Sequence, residues 1–214
     1  MLALRANLSI WGDNEGGKTM NRSFDVLVVG IGGQGTILAS NILGEACIIE
    51  GRSVRSAETH GMAQRGGSVE SHVRIDALYG PLIVPGTADL IISFDLLEAL
   101  RYSHYLKETG KLVSNRQLVV PTSVYLQDLP EPGVDETVER LSRFSPCLID
   151  ADRIAEEAGS ILTQNVVILG AASHFIPLLR ESLEEAVIKL VPPKTVDINR
   201  KAFSLGRDAG SRCI

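Results

Sequence analysis

Apolar residues in this chain fall into short continuous runs that alternate with longer stretches of helical spacing. The run Phe24–Val29 (FDVLVV) is closed by Gly30, a pattern typical of a buried parallel strand. Residues 34–50 then place apolar side chains at mostly helical spacing, and Gly51 is a plausible helix stop. Ser68–Ile75 alternates between two kinds of position, which predicts a strand with one wetter face.

The rest of the chain continues this alternation. We predict further strands at Ser53–Ala57, Ala88–Phe94, Lys111–Ser114, Leu118–Val120 and Cys147–Asp150, and helices at about 96–107, 134–142, 151–158, 166–179 and 196–206. Asp95 is the expected N-cap of the first of these helices, and Gly110 its end. Strands that alternate with helices imply a mostly parallel sheet with helices on both faces. The predicted fold class is therefore α/β, Rossmann-like, with a helical C-terminal part. We expect an extension at 1–22, one domain at 23–208 and a tail at 209–214.

Charge, hydropathy and cysteine content narrow the functional classes. The 214 residues carry a net charge of −5, so the basic footprint of a nucleic-acid binder is missing. No apolar run reaches the ~18 residues that a membrane span requires. Cys47, Cys147 and Cys213 are too few for a four-cysteine zinc or iron–sulfur site, and their sparse number argues against a secreted disulfide scaffold. We therefore expect a cytoplasmic protein with no metal, membrane or nucleic-acid ligand.

A glycine-rich turn joins the first strand to the first helix. Its sequence, G-I-G-G-Q-G, has the G-x-G-x-x-G spacing of a dinucleotide-binding turn, in which free backbone N–H groups and the helix dipole favour an anion. The expected cofactor-binding residues are Gly30, Gly32, Gly33, Gln34, Gly35 and Thr36. An NAD site also requires an acid about 20 residues on, and neither Glu50 nor Glu58 fits that requirement well. The alternative is that the glycines only allow the strand and helix to pack.

A polar, glycine-rich stretch at 58–68 is the second candidate for chemistry. Arg65 has the donor geometry to bind a phosphate or carboxylate, and His60 could carry a proton. We predict a substrate or partner loop that contains Glu58, His60, Gly61, Gln64, Arg65, Gly66, Gly67 and Ser68. The alternative is a solvated surface loop. The remaining histidines, His72, His104 and His174, are expected to be structural.

Several strings of this sequence resemble the gamma-type subunit of 2-oxoacid:ferredoxin oxidoreductases, and most strongly the beta subunit of the indolepyruvate type. They are G-I-G-G-Q-G at 30–35, S-A-E-T-H-G-M-A-Q-R-G-G-S at 56–68, H-V-R at 72–74, A-D-L-I-I at 88–92 and D-I-N-R-K-A-F at 197–203. The resemblance covers about residues 24–206. The T-H-G-M-A-Q-R-G-G string is far more specific than the glycine turn.

The resemblance implies a role in an enzyme complex. Such enzymes oxidatively decarboxylate a 2-oxoacid on thiamine diphosphate, pass electrons through 4Fe-4S clusters to ferredoxin and form an acyl-CoA. This chain has neither a thiamine motif nor cluster cysteines, so both groups are expected on a large partner subunit. The chain would bind no cofactor alone, would be inactive alone and would help hold coenzyme A, with the glycine turn and Arg65 as candidate phosphate contacts.

Two other functions remain open from the residues alone. The glycine turn is compatible with a stand-alone NAD(P)-dependent dehydrogenase that uses an acid such as Glu58 on the ribose. The chain could also be a non-catalytic binding or scaffold module that forms a homodimer when isolated.

Overall fold

A computed structural model of the protein describes residues 23–60, 67–121, 124, 126 and 130–214. Within these residues a six-stranded sheet has the strand order β2-β3-β1-β4-β5-β6. The strands are β1 (Phe24–Ile31), β2 (Val54–His60), β3 (Ser68–Ile75), β4 (Ala88–Ser93), β5 (Leu106–Asn115) and β6 (Cys147–Ile149). The described α-helices are α1 (Thr36–Ile49), α2 (Leu96–Tyr102), α3 (Val134–Leu141), α4 (Ala151–Ala158), α5 (Gln164–Ala172), α6 (Arg180–Leu190) and α7 (Val196–Gly210). The predicted extension at 1–22 lies outside the described residues.

The sheet is mostly parallel, as predicted. Strands β1, β4, β5 and β6 pair in parallel, whereas β3 pairs antiparallel with both β1 and β2. The alternating strand at Ser68–Ile75 is confirmed with its predicted bounds. Because β3 is antiparallel to both β1 and β2, the carboxyl ends of β1 and β2 lie at the same end of the sheet as the start of β3.

Apolar side chains fill both faces of the sheet, and β1 shows why its run is continuous. Val26 and Val28 pack with α1 and the C-terminal helices, while Leu27 and Val29 pack with α2 and α3 on the opposite face. A strand that is covered on both faces needs apolar residues at every position. The predicted helices on both faces are therefore confirmed.

The segment after β4 differs from the prediction. Asp95 caps α2 as expected, since its Oδ1 accepts hydrogen bonds from the backbone of Leu97 and Glu98, but the helix ends at Tyr102 rather than near Lys107. Gly110 does not end a helix but lies within β5. A Cβ on Gly110 would come within 2.9 Å of the Ala88 carbonyl oxygen, so the glycine allows close pairing of β5 with β4.

Residues 118–120 are not a strand, contrary to the prediction. They lie in irregular backbone after β5, where Val119 N donates to Asp95 Oδ2 and the Gln117 carbonyl accepts from Leu96 N. The first-turn N–H of Leu96 thus has a hydrogen-bond partner, and Val119 is held against the carboxylate of the Asp95 cap. These residues support the start of α2 and do not extend the sheet.

The C-terminal third is helical, but its helices are bounded differently from the prediction. The single helix expected at 166–179 ends at Ala172, and α6 begins only after Pro177. The last helix continues to Gly210 rather than ending at Gly206. Among the described residues, no helix has both the length and the hydropathy of a membrane span.

The structure also pairs two of the three cysteines. Cys147 of β6 and Cys213 after α7 form a disulfide bond, and Cys47 is free and buried. The two cysteines are 66 residues apart in the sequence, so their pairing was not predictable from local pattern. They meet because α7 returns the chain to the edge strand β6.

Glycines explain why α7 does not end at Gly206. A Cβ on Gly206 would lie 2.0 Å from the Val167 carbonyl oxygen, and one on Gly170 would lie 2.3 Å from the Phe203 carbonyl oxygen. Both contacts are with backbone atoms, which means that α5 and α7 approach too closely for a side chain to fit between them at these positions. We call this contact between Gly170 and Gly206 the helix seam. Gly206 serves helix packing, not helix termination.

The helix seam predicts that alanine substitutions at two helix glycines change the free energy of unfolding in opposite directions. Gly206→Ala should lower the free energy of unfolding by about 3 kcal/mol, because the methyl group overpacks a backbone contact. Gly44→Ala, in α1, meets nothing within 4 Å and should instead raise it by ~0.5–1 kcal/mol through helix propensity. Urea unfolding of both variants measures the difference, and equal midpoints would contradict this account of the seam.

Candidate functional site

The candidate site lies at the carboxyl ends of β1 and β4. The chain leaves β1 through α1 toward β2 on one side, and β4 lies on the other side of β1. Such a reversal of connection direction opens a crevice at the strand ends, where α/β sheets bind ligands. The glycine turn at 30–35 joins β1 to α1 at this end of the sheet.

The turn itself is a tight reversal of the backbone. Gln34 N donates to the Ile31 carbonyl oxygen at 3.0 Å, which closes a four-residue turn over 31–34, and Gly33, the third of these four residues, has φ +108°. Gly35 follows with φ +84° and caps α1 without a side chain. Both angles favour glycine. The glycine pattern therefore has a conformational basis at these two positions.

Gln34 braces the turn from within. Its side-chain oxygen accepts a hydrogen bond from Ile31 N at 2.7 Å, and its side-chain nitrogen lies 3.3 Å from both the Phe94 carbonyl oxygen and Gln117 Oε1. A Cβ on Gly30 would lie 2.9 Å from Gln34 Oε1. The side chain of Gln34 thus bonds the protein itself and ties the turn to the ends of β4 and β5.

The start of α1 offers polar groups that the protein leaves unused. The Gly35 cap supplies no side-chain acceptor for the first-turn N–H groups of α1. Thr36 is only 3% exposed, and among the residues that the structure describes its hydroxyl has no hydrogen-bond partner. An unpaired buried hydroxyl costs ~1–3 kcal/mol. This combination is compatible with an anionic group at the helix start.

The first residues of the predicted polar loop belong to a strand, because β2 extends past its predicted end at Ala57. Strand β2 continues to His60, with Glu58 exposed, and β3 begins at Ser68. The described part of the chain does not include Gly61, Gln64, Arg65 and Gly66, or the side chain of His60. Gly67 is described, and its carbonyl oxygen accepts a hydrogen bond from Gly32 N at 2.8 Å. The two predicted motifs therefore meet.

Ser68 belongs to a polar cluster that the sequence did not reveal. Its hydroxyl donates to Glu98 Oε2 and lies 3.0 Å from the hydroxyl oxygen of Tyr102, both on α2. Glu98 is buried, and Arg101 Nε lies 3.3 Å from its second carboxylate oxygen. Burial raises the pKa of Glu98 above its ordinary value, against the opposing effects of Ser68 and Arg101. The sequence feature that could have indicated this buried acid is its place within the apolar run L-L-E-A-L at 96–100.

The cluster continues along β3 toward the end of β2. Thr59 Oγ1 donates to Glu70 Oε1, and Glu70 Oε1 lies 3.8 Å from His72 Nε2. His72 is buried, and its Nδ1 accepts a hydrogen bond from Ile83 N at 3.1 Å. Burial lowers the pKa of His72, which favours the neutral ring that such a bond requires.

The acids considered for a nicotinamide ribose lie away from the turn. Glu50 follows the last residue of α1, about 20 Å along the helix from the glycine turn, and accepts a hydrogen bond from Leu179 N. Glu58 lies on β2, which β3 separates from β1. The geometry therefore does not favour an NAD site. Among the described residues, no group of three or more His, Cys, Asp or Glu could hold a metal ion.

Comparison with known proteins agrees with the geometry. A family model described as pyruvate ferredoxin/flavodoxin oxidoreductase matches residues 25–209. Indolepyruvate oxidoreductase subunit IorB of Thermococcus kodakarensis is 40% identical over an alignment of 199 residues, and the match covers 90% of this chain and 98% of that protein. The pyruvate/ketoisovalerate oxidoreductases common subunit gamma of Pyrococcus abyssi is 31% identical over 81% of this chain and 89% of its own length.

A solved structure supports the same conclusion. The gamma subunit of a keto/oxoacid ferredoxin oxidoreductase from Geobacter sulfurreducens PCA superimposes with a TM-score of 0.66 at 28% identity. The match covers 88% of this chain and 99% of that one. The resemblance read from the sequence motifs is confirmed.

The buried acid predicts a pH-dependent effect on stability. The pKa of Glu98 is raised in the folded protein, so folding favours the protonated side chain. This contribution to the free energy of unfolding is present at low pH and is lost as the pH rises through the raised pKa. Glu98→Gln stays neutral, so the variant should gain stability relative to the wild type between pH 4 and pH 7. Chemical unfolding across this range tests the prediction. Glu139→Gln, at an exposed position of α3, controls for the loss of one surface charge, and an identical pH profile for both variants would contradict the prediction.

Proposed function

Because the chain belongs to the pyruvate ferredoxin/flavodoxin oxidoreductase family, we propose that it is the small subunit of an indolepyruvate-type 2-oxoacid:ferredoxin oxidoreductase. The observation that carries this proposal is the 40% identity to an IorB subunit over 90% of the chain, against 31% to a gamma subunit of the pyruvate and ketoisovalerate enzymes. The higher identity favours aryl pyruvates as the substrate class.

In the proposed reaction the complex converts a 2-oxoacid and coenzyme A to an acyl-CoA. The bond between the carboxylate and the oxo carbon breaks and carbon dioxide leaves. The acyl carbon is oxidised by two electrons, which reduce ferredoxin. The acyl group forms a bond to the sulfur of coenzyme A, and the thiol proton is released. This chain is proposed to shape the ligand crevice and not to carry the redox chemistry.

The donor set of the chain does not fit an iron–sulfur cluster. Such clusters take four thiolates, whereas this sequence has three cysteines. Cys147 and Cys213 are bonded to each other, and burial raises the pKa of the Cys47 thiol to about 11. We therefore assign the clusters to a large partner subunit, with ferredoxin as the electron acceptor of the complex. We assign thiamine diphosphate to the same subunit because this sequence has no thiamine motif.

The glycine turn fits one phosphate of coenzyme A. First-turn N–H groups without a side-chain cap and the dipole of α1 favour an anion, and among the described residues the buried Thr36 hydroxyl has no hydrogen-bond partner. Gly33 has open space around the position of a Cβ, so a ligand can approach its backbone. Arg65 remains a predicted second contact, on the segment outside the described residues.

Co-expression with a thiamine- and cluster-bearing large subunit of the indolepyruvate type tests the proposed function. We expect the two chains to co-purify and to reduce a viologen dye only with coenzyme A and an aryl pyruvate. Indolepyruvate and phenylpyruvate should exceed pyruvate and 2-oxoglutarate in kcat/KM. Failure to co-purify, or preference for pyruvate, would argue against this assignment.

Thr36→Val tests the phosphate site at the turn. The substitution keeps the shape but removes the hydroxyl, so the KM for coenzyme A should rise about tenfold, or about 1.4 kcal/mol, with little change in kcat. The free chain should become more stable by about 1 kcal/mol, because a buried unpaired hydroxyl is removed.

Ser71→Ala is the matched control for Thr36→Val. Ser71, on β3, is the other described buried hydroxyl without a partner. Its replacement should leave the KM for coenzyme A unchanged. The phosphate site would be ruled out if the two variants had the same KM for coenzyme A.

A further inference from the structure

An uncharged loop joins β3 to β4 and exposes large apolar side chains. Residues 77–87 contain no charged side chain. In this stretch the side chains of Leu78, Tyr79, Leu82 and Val84 are exposed by 69%, 81%, 57% and 63%. We call these four residues the apolar loop. Clustered apolar exposure of this kind is typical of a surface that a partner covers.

The backbone of the apolar loop is held by side chains of β3. Arg74 Nη1 donates to the Gly80 carbonyl oxygen at 2.8 Å, and His72 Nδ1 accepts a hydrogen bond from Ile83 N at 3.1 Å. Ile83 is itself buried, between two exposed members of the loop. A backbone that is already ordered loses little conformational entropy when its side chains are covered. The exposed side chains are therefore presented on a fixed backbone.

The apolar loop lies at the end of the sheet opposite the glycine turn. Ile75, the last residue of β3, pairs with Phe24, the first residue of β1. The glycine turn follows the other end of β1. A partner that covers the apolar loop therefore leaves the turn open to a ligand.

A series of polar contacts connects the apolar loop to a neighbouring cleft. Arg74 Nε donates to Asp25 Oδ1 at 2.9 Å, and Asp25 N donates to Asp89 Oδ2 at 2.8 Å. Asp89 also pairs with Lys107, which lines a cleft of about 620 Å³ beside β5. The charged or titratable side chains that line this cleft are His104, Lys107, Glu108, Lys111 and Arg143.

The surroundings of the apolar loop are positively charged, although the whole chain carries a net charge of −5. Arg55 Nε donates to the Ala77 carbonyl oxygen at 3.0 Å, and Arg55 is exposed. In the cleft Lys111 and Arg143 are exposed, against one exposed acid, Glu108. An apolar centre with a polar rim is the usual arrangement of a protein interface. A partner that fits this surface has an apolar patch with carboxylates around it.

A second copy of the chain fits this surface poorly. Two copies joined through the apolar loop about a two-fold axis would place the same patch on both sides of the interface. The cationic side chains beside one loop would then face those beside the other, and like charges across an interface disfavour association. The charge pattern therefore favours a different protein as the partner.

We propose that the apolar loop is a docking site for the large subunit of the complex, whose contacting surface is apolar at its centre and acidic at its rim. This inference rests on the proposed function for the existence of that subunit. Tyr79 is the central contact, because tyrosine is among the residues that carry most of the binding energy in protein interfaces. The cationic side chains around the loop select the acidic rim.

Binding of the separately purified large subunit to the full-length chain tests the docking site. Tyr79→Ser and Leu82→Ser should each raise the Kd at least tenfold. Both side chains are exposed, so the unfolding midpoint should not change. Leu162→Ser is the matched control, since Leu162 is 84% exposed and lies close in sequence to Asn165, which contacts Gly35 at the other end of the sheet. The control should bind like the wild type.

The charged rim gives a second measurement. The double variant Lys111→Glu/Arg143→Glu should raise the Kd at least fivefold through slower association, and association should become less sensitive to salt. The double variant Arg153→Glu/Arg200→Glu, at exposed positions of α4 and α7, changes the net charge equally and should bind like the wild type.

The binding data distinguish failure of the docking site from failure of the proposed function. Wild-type affinity in Tyr79→Ser and Leu82→Ser would overturn the docking site, as would a dimer of the free chain that Tyr79→Ser converts to a monomer. A wild-type chain that does not bind the large subunit would remove the proposed function and this inference with it. A complex that forms through the apolar loop but prefers pyruvate would remove the indolepyruvate assignment and leave the docking site standing.

Discussion

The candidate site depends on a close approach at the end of β1, where Gly30 leaves room for the side chain of Gln34. A Cβ at this position would come within 2.9 Å of Gln34 Oε1 and 3.1 Å of Thr36 Oγ1. Because Gln34 bonds both its own turn and the Phe94 carbonyl, the absence of a side chain at Gly30 allows the turn to be tied to the end of β4. One buried glycine therefore makes room for the side chain that holds the turn in place.

The C-terminal helices support the same turn from the other side. A Cβ on Gly35 would lie 2.3 Å from the side-chain nitrogen of Asn165, which begins the buried part of α5. Helix α5 is in turn held against α7 through Gly170 and Gly206. The turn is thus packed between the sheet and the helical layer. A rigid backbone suits recognition of an anion, because little ordering is lost on binding.

The polar groups of the candidate site suit the binding and positioning role that we propose for this chain. The described residues bring together backbone amides, a free hydroxyl and a buried acid, and the cysteines are either paired or buried. Membership of the oxidoreductase family is consistent with this composition, because a small subunit can complete a ligand crevice while a partner performs electron transfer. The similar proteins are themselves named as subunits.

The sequence by itself determined the parts of the protein that depend on local pattern. The continuous apolar run of β1, the alternation of β3, the Asp95 cap and the glycine turn were all predictable, because period and backbone conformation are local properties. The motif strings also sufficed to identify the family. The predicted ends of helices failed where glycine served close packing, as at Gly110 and Gly206.

Only the tertiary structure decided which distant residues meet. The contact of Ser68 with Glu98 spans 30 positions, that of Gln34 with Gln117 spans 83, and the Cys147–Cys213 bond spans 66. Each depends on the order and direction of strands, which hydrophobic periodicity does not encode. The sequence thus located the glycine turn, and the fold decided which side chains hold it in place, because hydrogen bonds form between neighbours in space.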